Sequence, residues 1–451
     1  MDVAIRDWTF THFWVRPVTH TWFKIYHKSI SFSGTENVDW EKPIIFAPSH
    51  QNAFSDALCL ILPTKYTEKR FIYPLIRADA FGNSKAVDWI LTAFHMMPVY
   101  RPRDKVDLKQ QNERVFERCR HVLAQKRNLL IHPEGNCIPK KRVRPFKKGL
   151  ARIAFSAEEA HDFNLGVTVI PVGINYRNIT EARKGIHIRF GSPIAVADFK
   201  EAYCTHPAAG ITQLTRAVQE GVEDLTVNIQ SDAFYSLAEE LFEINRSSDR
   251  DLSGKAGYSK EELVCNQEIA QALQKAESQS HCDDLSEAKQ KVAALKELLH
   301  RHKLSASLTL DDSPSFLRLL PEGLLYLALL PLIAYGWINN VIPWLLSHKL
   351  ADSVKELQFK SSLRMLGGLL LFPLSYLIQA TVVLLLTGSW VWALAYLISV
   401  PLAGILTLNI RETYRRWRQK VRLSLLSDSL RQTIRNLRTE ILLPFRQKDS
   451  L

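Results

Sequence analysis

No C-x-x-C pair occurs anywhere in the chain: its six cysteines, at 59, 119, 137, 204, 265 and 282, are scattered singly along 451 residues. A chain that can bury a full core needs no disulfide staples, so these read as reduced thiols in a cytosolic domain. A secretory leader is also missing, because Asp2, Arg6, Asp7, His12 and Arg16 interrupt any apolar core in the first thirty residues. The expectation is a folded domain on the cytoplasmic side. G-x-S-x-G is absent throughout, which removes the nucleophile elbow of a serine hydrolase. Acidic residues are outnumbered, 46 Asp and Glu against 58 Lys and Arg, for a net charge of +12. That balance favours anionic partners: phosphate esters, acidic headgroups or nucleic acid. Nucleic acid fits the charge but not the apolar C-terminal third, and no nucleic-acid partner is expected.

What is present falls into five parts. Residues 1–30 interleave Trp8, Phe10, Phe13, Trp14, Trp22, Phe23 and Tyr26 with His and Lys, a mixture that suits an interfacial amphipathic helix and equally a helix capping a soluble core. Residues 31–229 alternate short apolar runs with longer helical periods, as α/β domains do. The runs 43–47, 71–76, 97–100, 128–131, 167–172 and 186–190 read as strands of a central mixed sheet. Helices are expected at 56–62, 84–94, 105–125, 148–162 and 212–229, flanking it. Residues 230–312 turn polar and charged and read as a helical accessory segment. Residues 313–410 carry three apolar blocks, 319–346, 366–386 and 390–408, each near the ~20 residues that cross a bilayer. The last two are separated only by Thr387-Gly388-Ser389 and look like a spanning hairpin. Pro321, Pro331 and Pro343 break the first, and Asn339 and Asn340 sit in its middle, so it spans or re-enters. Residues 411–451 form a basic tail with Arg411, Arg415, Arg416, Arg418, Lys420 and Arg422. If basic flanks stay inside, the tail and the 347–364 link are cytoplasmic, which asks for a re-entrant first block.

Four clusters carry chemistry. Run 43–47 leads into Ser49-His50-Gln51-Asn52-Ala53-Phe54-Ser55-Asp56, and strand ends opening a helix are where α/β folds expose functional side chains. An imidazole accepts a hydroxyl proton near neutral pH, and a carboxylate on its other nitrogen fixes the tautomer. Six positions apart on one ideal helix, His50 and Asp56 would face about 120° apart, so His50 belongs on the turn and Asp56 on the helix. Arg101 follows Pro98-Val99-Tyr100 and suits a phosphate as well as a surface position. His132-Pro133-Glu134-Gly135 is a turn in which glycine lets the backbone approach a ligand. The basic run after it, from Lys140 through Lys147 and Lys148, is either a solvated loop or an attractor of anionic substrate. In Val169-Ile170-Pro171-Val172, Pro171 cannot donate to a ladder and marks an edge or irregular point.

In this order and at these separations, Ser49-His50 to Asp56, Pro98-Val99-Tyr100-Arg101, Pro133-Glu134-Gly135 and Val169-Ile170-Pro171-Val172 resemble the four blocks of the glycerolipid acyltransferase family, over roughly residues 30–200. The resemblance implies His50 as general base on an acceptor hydroxyl and Asp56 as its orienting partner. It places Arg101, Glu134 and Gly135 at the acceptor phosphate, with Lys147 and Lys148 counted beside them as substrate-binding, and Pro171 by the acyl channel. No metal or other cofactor is implied; acyl-coenzyme A or an acyl-carrier protein is the co-substrate. Most members separate His and Asp by four residues and place Asn before His, whereas five residues separate them here and Ser49 precedes. That variant, with His-Gln-Asn-Ala-Phe and C-terminal membrane segments, is similar to the branch holding fungal glycerol-3-phosphate and dihydroxyacetone-phosphate acyltransferases. His95 stands where the second block often has glycine, which puts the shape near Arg101 in question. The implied acceptor is glycerol-3-phosphate, with dihydroxyacetone phosphate as a second and 1-acyl-glycerol-3-phosphate as the runner-up, in phospholipid synthesis. A non-catalytic lipid-binding scaffold is the other reading; retention of His50, Asp56, Arg101 and Glu134 speaks against it.

Overall fold

The computed structural model describes residues 10–62, 71–82, 84–100, 108–248, 257–279, 282–306 and 315–445. The chain divides into two compact units, residues 1–228 with 356–362 and residues 229–355 with 363–451.

In the first unit, strands β1 (Ile30–Ser33), β2 (Ile44–Pro48), β3 (Ile72–Arg77), β4 (Met97–Val99), β5 (Asn128–Leu130), β6 (Thr168–Tyr176), β7 (Ile186–Phe190) and β8 (Ile194–Ala195) form one sheet ordered β1-β7-β6-β2-β5-β3-β4, with β8 beside β6. The β1–β7, β2–β5, β2–β6, β3–β4 and β3–β5 pairs are parallel, while β6 meets β7 and β8 antiparallel. This is the mixed sheet expected. Strands with neighbours on both sides and helices on their faces bury every residue, and β2 and β6 do so along their full length. Side chains alternate across the sheet: Ile45, Ala47, Tyr73, Leu129 and Val169 join one core with Val122 and Leu123 of helix Leu108–Ala124, Ala154 and Phe155 of helix Gly149–Glu159 and Leu214 and Val218 of helix Pro207–Glu223. That last helix starts five residues before the expected 212, because Pro207 fills its first turn, where a missing N–H costs nothing.

Two points that the sequence leaves open are seen here. Pro171 is not at an edge: β6 lies between β2 and β7, and Ala47 is its register partner. It marks the irregular point instead, where the antiparallel neighbour changes from β8 at 168–169 to β7 at 172–176; its carbonyl accepts from Gly191 N–H at 2.9 Å, and the ladder bond it cannot donate falls in that gap. The aromatic N-terminal helix α1 (Phe10–His27) docks on the unit over its described side chains: Phe23, Tyr26 and His27 are buried, and Arg16 Nη2 donates to Ile61 O at 2.6 Å.

In the second unit, helices Tyr235–Ser248, Lys260–Ser278, Cys282–Arg301 and Asp428–Leu442 pack together, so the accessory segment and the basic tail share one bundle. Helices Leu357–Thr387 and Trp390–Ser424 are each long and apolar enough to cross a membrane. Phe316–Ala328 and Leu330–Asp352 pass the same test together, bent by 51°. The break falls next to Pro331 alone; Pro321 and Pro343, expected to interrupt the block as well, lie inside helices. Asn339 and Asn340 are satisfied by neighbours: Tyr376 donates to Asn340 Oδ1 at 2.6 Å, Tyr396 donates to Asn339 Oδ1, and Gln379 donates to Asn339 O at 3.0 Å. Interhelical bonds of this kind hold apolar helices together where water offers no partner.

Candidate active site

β2 ends at Pro48, and Ser49 prolongs its ladder, donating its N–H to Val172 O and accepting from Ile174 N–H at its hydroxyl, both at 3.0 Å. The chain then leaves the sheet as His50 N–H donates to Glu134 Oε1 at 2.8 Å. Helix α2 (Ala53–Ile61) follows, with Asp56 in its first turn. Its carboxylate points back at the turn that launched it. Oδ2 accepts from Gln51 N–H and Asn52 N–H, both at 2.8 Å, and from His50 Nδ1 at 2.9 Å; Oδ1 accepts the Tyr176 hydroxyl at 2.7 Å. His50 is thus on the turn and Asp56 on the helix, as the spacing requires. Ala53, the first residue of that helix, has φ 36°, a positive value uncommon for a residue other than glycine.

Burial alone would raise the Asp56 carboxyl, but the hydrogen bond from His50, the fields of His50 and His132 and the Asn52 N–H outweigh it and hold it below the usual carboxylate range. An ionised carboxylate only accepts, so His50 Nδ1 donates to Asp56, and the neutral form of the ring has its lone pair on Nε2. No described residue hydrogen-bonds Nε2, and the His50 side chain is 17% exposed. His132 stacks on it at 3.8 Å between ring centroids and 16° between planes. Desolvation pushes His132 down to about 3, so it stays neutral and serves as a flat wall. Ala53 N–H donates to Cys137 Sγ at 3.0 Å, and burial pushes that thiol up. His50, Asp56 and Cys137 bring potential metal-ligand atoms within 4.8 Å of one another. Both Asp56 oxygens already hold N–H or O–H donors, which suits a hydrogen-bonded dyad better than a metal cage.

Glu134 is buried and turned inward, accepting His50 N–H on Oε1 and Arg144 Nε on Oε2 at 2.9 Å. Desolvation outweighs the Arg144 charge and raises its carboxyl. Gly135, at φ 71°, makes the turn, and the Lys147 side chain lies where a Cβ would stand, 2.9 Å away. Lys147 N–H ties that strand end to Pro133 O at 2.8 Å. Lys148 leads elsewhere, donating to Thr212 Oγ1 at 2.9 Å. Pro171 sits in β6 opposite Ala47. Arg101 lies outside the described residues. His95 takes the left-handed backbone that glycine adopts freely, at φ 54°, with its ring 4.9 Å from Phe71 and from Tyr73, so the turn before β4 keeps its shape without glycine. Sequence reasoning gave no role to Tyr176, His132 or Cys137, and read Arg144 only as one charge of the basic run that starts at Lys140. The first was legible only as a hydroxyl ending an apolar strand.

Residues 29–175, which hold both the turn after β2 with its carboxylate-held histidine and the glutamate turn after β5, match the family model described as Acyltransferase. Over 141 residues the chain is 28% identical to glycerol-3-phosphate O-acyltransferase 1 of Saccharomyces cerevisiae, a stretch that is 31% of this chain and 18% of that protein. The chain therefore matches less than a fifth of that relative's length. The crystal structure of the 1-acyl-sn-glycerophosphate acyltransferase PlsC from Thermotoga maritima aligns at 17% identity and a TM-score of 0.33, covering 48% of this chain and 80% of that one.

Proposed function

We propose that the protein is a membrane-bound glycerolipid O-acyltransferase that moves a fatty acyl group from an acyl thioester to the hydroxyl of glycerol-3-phosphate. The observation that carries this reading is the His50–Asp56 pair, joined at 2.9 Å through Nδ1. His50 Nε2 takes the acceptor's hydroxyl proton as the oxygen attacks the thioester carbonyl. The tetrahedral intermediate then collapses, the C–S bond breaks, and the imidazolium returns the proton to the departing thiolate. Asp56 holds the ring and stabilises its charged form. The scheme uses no metal and no covalent enzyme intermediate. Lys147, over Gly135, and Arg101 by resemblance would hold the acceptor phosphate, making the attack effectively unimolecular.

The name of the yeast relative supports glycerol-3-phosphate as acceptor; dihydroxyacetone phosphate and 1-acyl-glycerol-3-phosphate are the alternatives. The apolar helices would anchor the enzyme in the bilayer where its product dissolves, with the acyltransferase domain and tail on the cytoplasmic side. The deciding experiment measures thiol release from acyl-coenzyme A by the detergent-purified protein with each acceptor, beside His50→Ala. Acceptor-dependent release that disappears in the variant is expected. Release that survives it would remove His50 from the mechanism, and none with any acceptor or with acyl-carrier protein would favour a lipid-binding scaffold.

A further inference from the structure

The first unit contains a short segment from far along the chain, residues 356–362. It holds the beginning of helix Leu357–Thr387, the same helix that continues as an apolar block. Ser361 and Ser362 there are each only 2% exposed.

Both serines bond to the loop between His50 and Asp56. Ser362 Oγ lies 3.2 Å from Asn52 O, from Ser55 N and from Ser55 Oγ. Its one proton goes to the Asn52 carbonyl and its two lone pairs accept the N–H and O–H of Ser55, which uses the hydroxyl completely. Ser361 Oγ accepts from Asn52 Nδ2 at 3.4 Å, and Tyr26 Oη of α1 lies 3.2 Å from that hydroxyl and 3.1 Å from Ser361 O.

Helix Ala53–Ile61 takes part of its cap from this segment. Its own cap residue, Asn52, makes no side-chain cap bond: its Nδ2 donates to Ile179 O at 3.0 Å and to Ser361 Oγ at 3.4 Å, and its Oδ1, the atom that would accept at a cap, is buried without a partner. The N–H of the third helical residue is the donor a cap side chain ordinarily satisfies. Here that donor is Ser55 N–H, which is shared between Asn52 O at 2.9 Å and Ser362 Oγ at 3.2 Å, the latter 307 positions away in sequence. Asn52 N–H also donates to Asp56 Oδ2. Ser362 therefore grips one carbonyl and one amide of the loop whose closure brings Asp56 to His50.

We propose that Ser362, assisted by Ser361, is a positioning residue for acyl transfer: it caps the catalytic helix from outside and fixes the His50–Asp56 geometry. This rests on the acyltransferase reading given above. The helix that enters the apolar block would then also set the register of the catalytic pair.

The test compares full-length wild type, Ser362→Ala, Ser362→Thr and Ser361→Ala in detergent, reading kcat and KM for acyl-coenzyme A and glycerol-3-phosphate. Hydrogen exchange of peptides across 50–56 is followed in parallel. Ser362→Ala is expected to lower kcat about ten-fold, as loss of a cap allows, with both KM values within two-fold, and Ser362→Thr to restore most of it. Exchange should quicken at 50–56 and not in β6. A kcat for Ser362→Ala within two-fold of wild type, or a threonine variant as slow as the alanine one, overturns the proposal. If Ser362→Ala does not fold, Ser361→Ala carries the test, expected slower in kcat and faster in exchange at 50–56. Wild type without turnover would sink the acyltransferase reading instead, and exchange across 50–56 would still decide the positioning role, an unchanged rate in Ser362→Ala overturning it.

Discussion

Two neighbouring strand ends carry nearly the same pair of residue types, and they do opposite things with them. After β2 come His50 and Asp56; after β5, its parallel neighbour, come His132 and Glu134, and the two imidazoles stack face to face. His50 has one nitrogen tied and the other unclaimed by any described residue, whereas both His132 ring nitrogens are buried and the ring stays neutral. Asp56 collects four donors and its carboxyl is held down; Glu134 is held up by desolvation although Arg144 is beside it. A histidine followed by an acid is therefore not a site in itself. What separates the proposed base from the wall is whether the carboxylate meets the ring or the backbone: Asp56 bonds an imidazole nitrogen, and Glu134 bonds an amide and a guanidinium.

The strongest way to break this contrast is to exchange the roles of the two histidines. His50→Ala is expected to lower kcat by about a thousand-fold, within the range of a lost general base, and His132→Phe, which keeps a flat ring, by less than ten-fold. Similar losses in both, measured as acyl-coenzyme A turnover, would show that the stacked pair acts as one unit.

The acids come next. Asp56→Asn keeps the shape but not the charge and lets the ring turn to the wrong tautomer, for an expected loss of about a hundred-fold or more. Glu134→Gln keeps the acceptor for His50 N–H and loses only the pairing with Arg144, for about ten-fold. Equal effects would mean that Glu134 touches the substrate.

Stability against pH sharpens the same comparison. His132 is depressed to about 3 in the folded protein, below the ordinary 6.5, so the unfolded chain binds the proton that the folded one refuses. Stability from this group is present above pH 6.5 and is lost as pH falls toward 3. Between pH 7 and 5, His132→Phe should reduce the loss seen in denaturant melts by about 1–2 kcal/mol; an unchanged slope would place the proton-refusing group elsewhere, His27 being another buried imidazole depressed to about 3. The smallest effect expected is in the two lysines. Lys147→Ala should raise the KM for the acceptor a few-fold, and Lys148→Ala, whose amine is on Thr212, should leave it unchanged.

Much of the first unit could be read from local pattern. Strands 43–47, 71–76, 97–100, 128–131 and 186–190 fall within about one residue of β2, β3, β4, β5 and β7 because buried parallel strands are short apolar runs bounded by turns. The four residues of β1, half exposed at the sheet edge, carry no such run. The His50–Asp56 pairing was legible because six positions fit only a turn followed by a helix. The inward aim of Glu134 was not, since a strand-end acid can face solvent or the neighbouring turn with the same sequence. Least legible of all was Ser362: a serine opening an apolar helix says nothing about the amide it accepts 307 positions earlier.

Helix Trp390–Ser424 has the proportions of a ruler as well as those of an anchor. Its 35 residues rise about 52 Å. The apolar part, 390–408, accounts for about 28 Å, close to the ~30 Å of a hydrocarbon core. The remaining 16 residues, unbroken and studded with Arg411, Arg415, Arg416 and Arg418, reach about 24 Å further before the chain turns back at Ser427 into the helical bundle. An upright span of this length would hold that bundle clear of the headgroups at a fixed stand-off, and shortening the helix by whole turns would lower it onto the lipid in steps of about 5.4 Å.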